Sequence, residues 1–326
     1  MSNAIEITDL RKSFSVKAKG RIIKVEAVRG LTLGVKRGEI FGFLGPNGAG
    51  KTTTLRMLTT LLPIDEGKGA ICGYDLVGRP QEVRRHIGYV SQLGGADWEA
   101  TGRENLILAG QLYGMKRHDA EQRTEELLAV FELVELADRV VRTYSGGQRR
   151  RLEIALGMIN RPEVLFLDEP TTGLDPQNRA NLWEQIRKLK EGGTTIFLTT
   201  HYLDEADALS DRLAIMDCGI IVAEGTPQEL KEQISGDVIQ IRLADDRTQQ
   251  AKRLFDKVSF INEIRLEGED IYLYAKNGAQ VLPRIFEMLE AEGVQTQSVS
   301  IATPSLDDVF LKQTGRLLRD GKEDIA

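Results

Sequence analysis

The chain has 326 residues, 41% of them apolar and 28% charged, and a net charge of −6. That length fits one large and one small domain, and the acidic balance speaks against nucleic acid as the main partner. Cys72 and Cys218 lie far apart and His86, His118 and His201 are scattered, so neither a disulfide framework nor a zinc spacing is expected. The thiols read as reduced and cytosolic, and with no secretory signal and no apolar run near the ~20 residues of a membrane helix, any work at a membrane is expected to pass through a partner.

The first elements read as β structure, with short alternating runs at 5–7, 22–28 and 31–35 and a basic, glycine-ended segment at 16–20 that suits a solvated hairpin turn. The apolar run 39–44 reads as a buried strand. It leads into Gly45-Pro46-Asn47-Gly48-Ala49-Gly50-Lys51-Thr52, which matches the phosphate-binding pattern G-x-x-x-x-G-K-[ST]. Glycines there open backbone angles closed to other residues and let main-chain N–H groups crowd around phosphate oxygens. Lys51 supplies a point charge for the β- and γ-phosphates, and the Thr52 hydroxyl is a ligand for Mg²⁺. Residues 53–62 read as a helix whose N-terminus faces the phosphates. A short strand is expected at 70–73 and another at 87–92, ending in Gln92.

From 101 to 157 the apolar spacing turns helical, with helices expected at 104–112, 118–131 and 149–159. The run Arg149-Arg150-Arg151 reads as a solvated face rather than a nucleic-acid site. Before it, Tyr144-Ser145-Gly146-Gly147-Gln148 puts a hydroxyl and two glycines at a helix start, a second anion site. A strand at 164–167 then delivers Asp168 to its carboxyl end, where ligands sit in open α/β sheets. Asp168 is suited to orient Mg²⁺. Glu169, expected on the other side of the strand line, is suited to act as general base on an attacking water. Asp175 before Pro176 caps a helix at 177–190. A strand at 194–199, a helix at 203–209 and a hairpin of 212–216 with 220–225 around Cys218-Gly219 complete a mainly parallel sheet with crossover helices. Two phosphate sites in one chain make sense if each nucleotide is held by the Lys51 loop of one copy and the Ser145 loop of another.

A boundary is expected near Ser235-Gly236. Beyond it the order is strand (238–243), helix (248–258), strand (262–267), strand (271–275), helix (279–291) and strand (294–301). That is β-α-β-β-α-β, the ferredoxin-like unit. Ser305 is an expected N-cap for a last helix with Asp307 and Asp308 in its first turn. The apolar stripe of Leu306, Val309 and Phe310 must dock either on its own small domain or on a partner chain, and residues 319–326 are expected to fray.

Together these motifs resemble the nucleotide-binding subunit of an ABC transporter. Residues 144–148 are similar to that family's L-S-G-G-Q signature, with Tyr144 at the packing position where Leu is usual. The resemblance runs over about 5–229, with five motifs in the family's order. It implies a P-loop NTPase ABC cassette over 1–235, of α/β class, with a mainly parallel sheet, an N-terminal antiparallel β part and a helical subdomain at about 95–160. A ferredoxin-like α+β domain (236–303) and a helix with tail (304–326) follow. The cofactors implied are ATP and Mg²⁺. Asn47, Gly48, Gly50, Lys51, Thr52 and Thr53 would hold the nucleotide from one side, and Ser145, Gly147, Gln148 and Asp175 from the other. Thr52, Gln92 and Asp168 would serve the metal, and Glu169, His201 and Gln92 would be catalytic. Phe14 would stack on adenine, although Val16 and Val25 compete for that place.

Residues 101–106 and 304–316 resemble the daunorubicin-resistance type of ATP-binding subunit. That type implies a separate ABC-2-type permease exporting a drug, lipid or glycan. It also implies a second copy in a head-to-tail ATP sandwich, a place at the cytoplasmic face of the membrane, no nucleic acid, and a 306–310 stripe that helps hold two subunits together. The rival readings each lack something. A ribosomal ABC protein typically carries two cassettes, and a chromosome ATPase needs a coiled-coil arm that the segment between Gln92 and Ser145 is too short to supply. An importer ATPase with a regulatory C-terminal domain would carry many short strands of a small barrel in place of β-α-β-β-α-β.

Overall fold

The structure, a computed structural model, describes residues 3–18, 21–234, 236–244, 247–256, 258–315. Residues 19–20 of the expected turn, Ser235 of the expected boundary, and the tail from Arg316 onward, expected to fray at 319–326, lie outside the described residues. The chain divides into two compact units, Met1–Glu224 and Gly225–Ala326.

The first unit opens with two long strands, β1 (Asn3–Ala18) and β2 (Arg21–Lys36), where the sequence suggested three short ones. The break expected between 28 and 31 is absorbed by a register shift, Leu10 pairing with Leu31 and Arg11 with Arg29, which lets one ribbon bend without ending. They pair with β4 (Glu66–Ile71) and β5 (Tyr74–Asp75) in the order β2-β1-β4-β5. Cys72 (φ 52°) and Gly73 (φ 82°) close the β4–β5 hairpin with both residues left-handed, the geometry that matches strand twist. The second sheet has six strands, in the order β10-β9-β3-β8-β7-β6: β3 (Ile40–Leu44), β6 (Ile87–Val90), β7 (Val164–Asp168), β8 (Thr195–Thr200), β9 (Arg212–Asp217) and β10 (Ile220–Gly225). The pairs β3/β8, β3/β9, β7/β8 and β6/β7 are parallel.

Alternation along these buried strands splits the core in two. Phe41, Phe43, Phe166 and Phe197 face the antiparallel sheet and α1 (Lys51–Leu58), with Phe197 at ring-centroid distances of 5.4–5.6 Å from the other three. Ile40, Leu165, Leu167, Ile196 and Leu198 face the helices of the other layer. Those are α3 (Gly102–Leu112), α4 (Arg117–Val130), α5 (Gly146–Gly157) and α6 (Pro176–Glu191), after a short α2 (Pro80–His86) that the sequence did not suggest. The helix α1 stops before 62 because Thr60 turns left-handed (φ 59°). A short α7 (Leu203–Leu209) follows β8.

The second unit begins with α8 (Pro227–Glu232) and continues with β11 (Asp237–Leu243), α9 (Thr248–Phe255), β12 (Glu263–Glu267), β13 (Asp270–Ala275), α10 (Gly278–Ala291), β14 (Thr296–Ala302) and α11 (Leu306–Thr314). Its sheet order is β12-β13-β11-β14 with every pair antiparallel, so the ferredoxin-like expectation holds. The Ser305 cap forms a full capping box with Asp308.

The stripe on α11 corrects one expectation. Leu306, Val309, Phe310 and Leu311 are all at most 2% exposed within their own chain, and α11 packs against α8. Arg265 donates to the carbonyls of Leu311 and Lys312, and Lys312 Nζ donates to Gln233 O at 2.7 Å. Cations at the C-terminal carbonyls satisfy groups the helix leaves open. The stripe is consumed inside the unit and is not available to hold two chains together.

Candidate functional site

The phosphate loop is built by the packing around it. Gly48 (φ 81°) and Gly50 (φ 107°) take left-handed backbone, which disfavours side chains. A Cβ on Gly50 would come 2.3 Å from Ala27 O, and one on Gly45 would come 2.2 Å from Met216 O. The loop is therefore wedged between β2 and β9, so glycine is required on both counts. It is also tied by hydrogen bonds, Gly45 N to Thr200 O at 3.3 Å and Gly219 N to Ala49 O at 2.9 Å.

Lys51 is buried, and its Nζ donates to Gly45 O (2.6 Å) and Pro46 O (2.9 Å) while standing 3.8 Å from Glu169 Oε1. Burial lowers its pKa, against the opposing pull of Glu169 and Asp168. Thr52 Oγ1 and Thr199 Oγ1 both donate to Asp168 Oδ1, at 3.2 and 2.6 Å. The oxygens of Thr52 and Asp168 are the hard donors that Mg²⁺ prefers. Two protein ligands leave most of its octahedron for water and phosphate, so the residues fit that ion. Among the described residues no group of three or more His, Cys, Asp or Glu side chains forms a self-sufficient metal cage.

Glu169 departs from the strand alternation expected of it. The chain leaves extended geometry there (φ 45°), and the Glu169 carboxylate lines the cleft while that of Asp168 bonds Thr52, which lines it too. Its backbone N–H donates to Thr199 O and Thr199 Oγ1, each at 3.1 Å. Its Oε2 accepts from Gln92 Nε2 (3.1 Å) and Thr172 Oγ1 (3.3 Å). His201 Nδ1 approaches it to 3.1 Å, at an angle short of a hydrogen bond. Burial would raise the carboxyl's pKa, but His201, Lys51 and Thr172 outweigh it, and the net shift is downward. Gln92 thus sits on Glu169 rather than on the Thr52–Asp168 pair.

These side chains line a cleft of about 400 Å³ formed by Ala27, Pro46, Asn47, Gly48, Gly50, Lys51, Thr52, Thr53, Gln92 and Glu169. Phe14 is not part of it. It stands 38% exposed on β1, with Lys12 Nζ 5.8 Å from its ring centre. Ser145, Gly147, Gln148 and Asp175 do not line the cleft either. Ser145 and Gln148 form a capping box at the start of α5, and Asp175 caps α6 through Asn178 N at 2.9 Å. The two loops abut, because a Cβ on Gly147 would come 2.5 Å from Asn178 Oδ1. Tyr144 is buried and donates its hydroxyl to Leu136 O at 2.5 Å, so tyrosine packs where leucine was expected and satisfies its own polar end.

The basic run is not a solvated face. Arg150 is 6% exposed and donates to Pro170 O (2.7 Å), Ser91 O (2.8 Å), Asp168 O (3.1 Å) and Glu153 Oε2 (2.8 Å). Arg149 stacks on Trp98 at 4.7 Å, and Arg151 bonds Phe131 O and Glu132. Sequence reasoning therefore missed Arg150, along with Thr199. A period count on α5 would have placed Arg150 on the same face as the buried Ile154, four residues on.

A model of the ABC transporter family matches residues 28–172, and one of the C-terminal domain of DrrA1-3-like ATP-binding proteins matches 225–314. The daunorubicin resistance ATP-binding protein DrrA2 of Streptomyces coeruleorubidus is 42% identical over 89% of this chain and 90% of its own. The doxorubicin resistance ATP-binding protein DrrA of Mycobacterium tuberculosis is 40% identical over 95% of this chain and 93% of its own. The Nod factor export ATP-binding protein I of Ralstonia nicotianae is 39% identical over 90% of each. Among solved structures, a dimeric ATP-binding cassette in a post-hydrolysis state with ADP and Pi superposes with a TM-score of 0.61 at 25% identity, covering 68% of this chain and 98% of that one. The ATP-binding subunit of an ABC transporter gives 0.60 at 30%, covering 71% and 92%.

Proposed function

This chain belongs to the ABC transporter ATP-binding family, and we propose that it powers a separate ABC-2-type permease at the cytoplasmic face of a membrane, exporting a drug, lipid or glycan. It is the ATP-hydrolysing subunit of such an exporter, and it works as two copies closed head to tail on two MgATP. The observation that carries this reading is the split of the site. Lys51, Thr52 and Glu169 line one cleft, with Asp168 bonded to Thr52, while Ser145 and Asp175 lie away from its lining. The second half of each nucleotide site is then supplied by the other copy.

The residues divide the chemistry as follows. Lys51 exchanges its two carbonyl partners for the β- and γ-phosphate oxygens, a trade that its burial makes electrostatically strong. Thr52 and Asp168 would hold Mg²⁺, which would supply charge neutralisation to the phosphates. Glu169, held ionised by His201, Lys51 and Thr172, accepts a proton from the attacking water as the water oxygen bonds to the γ-phosphorus and the bond from that phosphorus to the bridging oxygen breaks, so that ADP leaves with the electron pair. Gln92 and His201 hold that carboxylate and the phosphate in place. ATP favours the closed pair because its contacts with Ser145 and Gly147 exist only there.

Glu169→Gln tests the reading. ATP should still bind and hold two chains together in size-exclusion chromatography, while phosphate release falls at least about 100-fold. Turnover near wild type removes Glu169 from the role of base. Co-purification of an integral membrane protein supports the exporter, and ribosomes or DNA in its place overturn it.

A further inference from the structure

Glu205 on α7 is the least exposed carboxyl group among the described residues, at 0%, and the chemistry above does not use it. It lies where three segments meet. Trp183 of α6 donates its Nε1–H to Glu205 Oε1 at 3.2 Å. Thr200 ends β8 beside His201, and its Oγ1 accepts the Tyr202 N–H at 2.9 Å, while its hydroxyl is one of the polar groups that act on the Glu205 carboxyl. Thr171 opens the turn that runs into Gly173-Leu174-Asp175, with Leu174 N donating to Thr171 O at 3.1 Å.

The polar atoms at this junction are incompletely paired. Among the described residues, neither Glu205 Oε2 nor Thr171 Oγ1 has a hydrogen-bond partner, and both side chains are fully buried. Burial raises the pKa of Glu205, against the nearby Thr200 and Thr171 hydroxyls and the Trp183 N–H, which lower it. One hydrogen bond between the Thr171 hydroxyl and Glu205 Oε2 pairs both atoms, and no other side chain is needed to complete the junction. A second set of contacts runs alongside. Arg179 of α6 bridges Asp204 at 3.0 Å and lies over the Tyr202 ring at 4.6 Å, and that ring sits 4.1 Å from His201's.

We propose that Glu205 is a positioning residue for hydrolysis: its carboxyl locks the turn bearing His201 to Thr171 and Trp183, so that the γ-phosphate contact and the loop ending in Asp175 move as one body. The consequence is a path from the phosphate to the loop that faces the second copy. The inference rests on the ATPase reading of the same site, which wild-type turnover and Glu169→Gln test separately.

The experiment compares Glu205→Gln and Glu205→Leu in the purified full-length chain. The amide keeps the shape, can accept from Trp183 through its oxygen and can donate to Thr171 through its nitrogen, so its kcat should stay within about twofold of wild type. The leucine keeps the volume and loses the pairing. Its kcat should fall roughly tenfold or more while the KM for MgATP moves less than about twofold, because the Lys51 cradle is untouched. In the Glu169→Gln background, Glu205→Leu should also weaken the ATP-held pair of chains. A leucine variant with wild-type kcat, equal losses in the two variants, or a KM that moves with kcat each overturns the proposal. If the leucine variant does not fold, Thr171→Val and Trp183→Phe each remove one arm, and unchanged kcat in both is the overturning result.

Discussion

Removing Arg150 should unfold the first unit at markedly lower temperature. Its guanidinium is enclosed, with one ion-pair partner and three backbone carbonyls as acceptors. Arg150→Met keeps most of the apolar stem and leaves Glu153, itself buried at 8% exposed, as an uncompensated charge. Breaking such a pair costs about 3–5 kcal/mol, and the carbonyls of Ser91, Asp168 and Pro170 lose a donor as well. For a unit of this size, about 2–4 °C of Tm per kcal/mol gives a drop of about 6–20 °C. The double variant Arg150→Met with Glu153→Met separates the causes. If the stranded carboxylate is the main cost, the double variant should be more stable than the single one. Urea unfolding followed by tryptophan fluorescence reads both. A single-variant loss under about 1 kcal/mol, or a double variant no better than the single, refutes the argument.

Two further outcomes follow from burial elsewhere. Burial, aided by the Glu163 carboxylate and opposed by Arg37, pushes the Cys72 thiol up to about 11. Because the thiolate is the nucleophile, alkylation of Cys72 near neutral pH should run roughly 100-fold slower than for an ordinary thiol and climb about tenfold per pH unit through pH 9, read by mass spectrometry. A plateau below pH 9 contradicts it. Phe310→Ala should cost about 3–5 kcal/mol in the second unit, with a Tm shift independent of protein concentration. A shift that vanishes at high concentration would place the stripe between chains after all.

The cleft residues were legible because each sits at an element end fixed by short-range pattern. A buried apolar run ends in Asp168, and a glycine-rich loop opens a helix at Lys51. The ferredoxin-like unit was legible for a similar reason, since its strands and helices differ in period and their order admits few topologies. What the sequence hid were contacts between distant segments. Arg150 looked like the middle of a charged face, because three adjacent arginines point in different directions around a helix and only one of them turns inward. Glu169 broke the strand alternation at a single left-handed residue, which no local pattern announces. The α11 stripe was read correctly as apolar and assigned to the wrong surface, because amphipathicity states that a face is buried and never against what.

The same distinction bears on how the two halves of the nucleotide site communicate. Arg150 ties the start of α5, just beyond Ser145, to the carbonyls of Ser91 and Asp168. Glu205 ties the His201 turn to α6, just beyond Asp175. Each of the two loops suited to a second copy is thus anchored by one buried polar side chain to the cleft that its own chain builds around Lys51. Buried polar junctions have few alternative arrangements that keep every group paired, so these two are the places to test whether movement at the phosphate reaches the loops. A cassette in which the Arg150 junction is cut should then bind ATP with little loss and close poorly on its partner. ATP affinity and ATP-dependent dimerisation measured on Arg150→Lys, which keeps the charge and loses the fork of donors, would show the two properties parting. If both fall together, the junction serves the cleft alone.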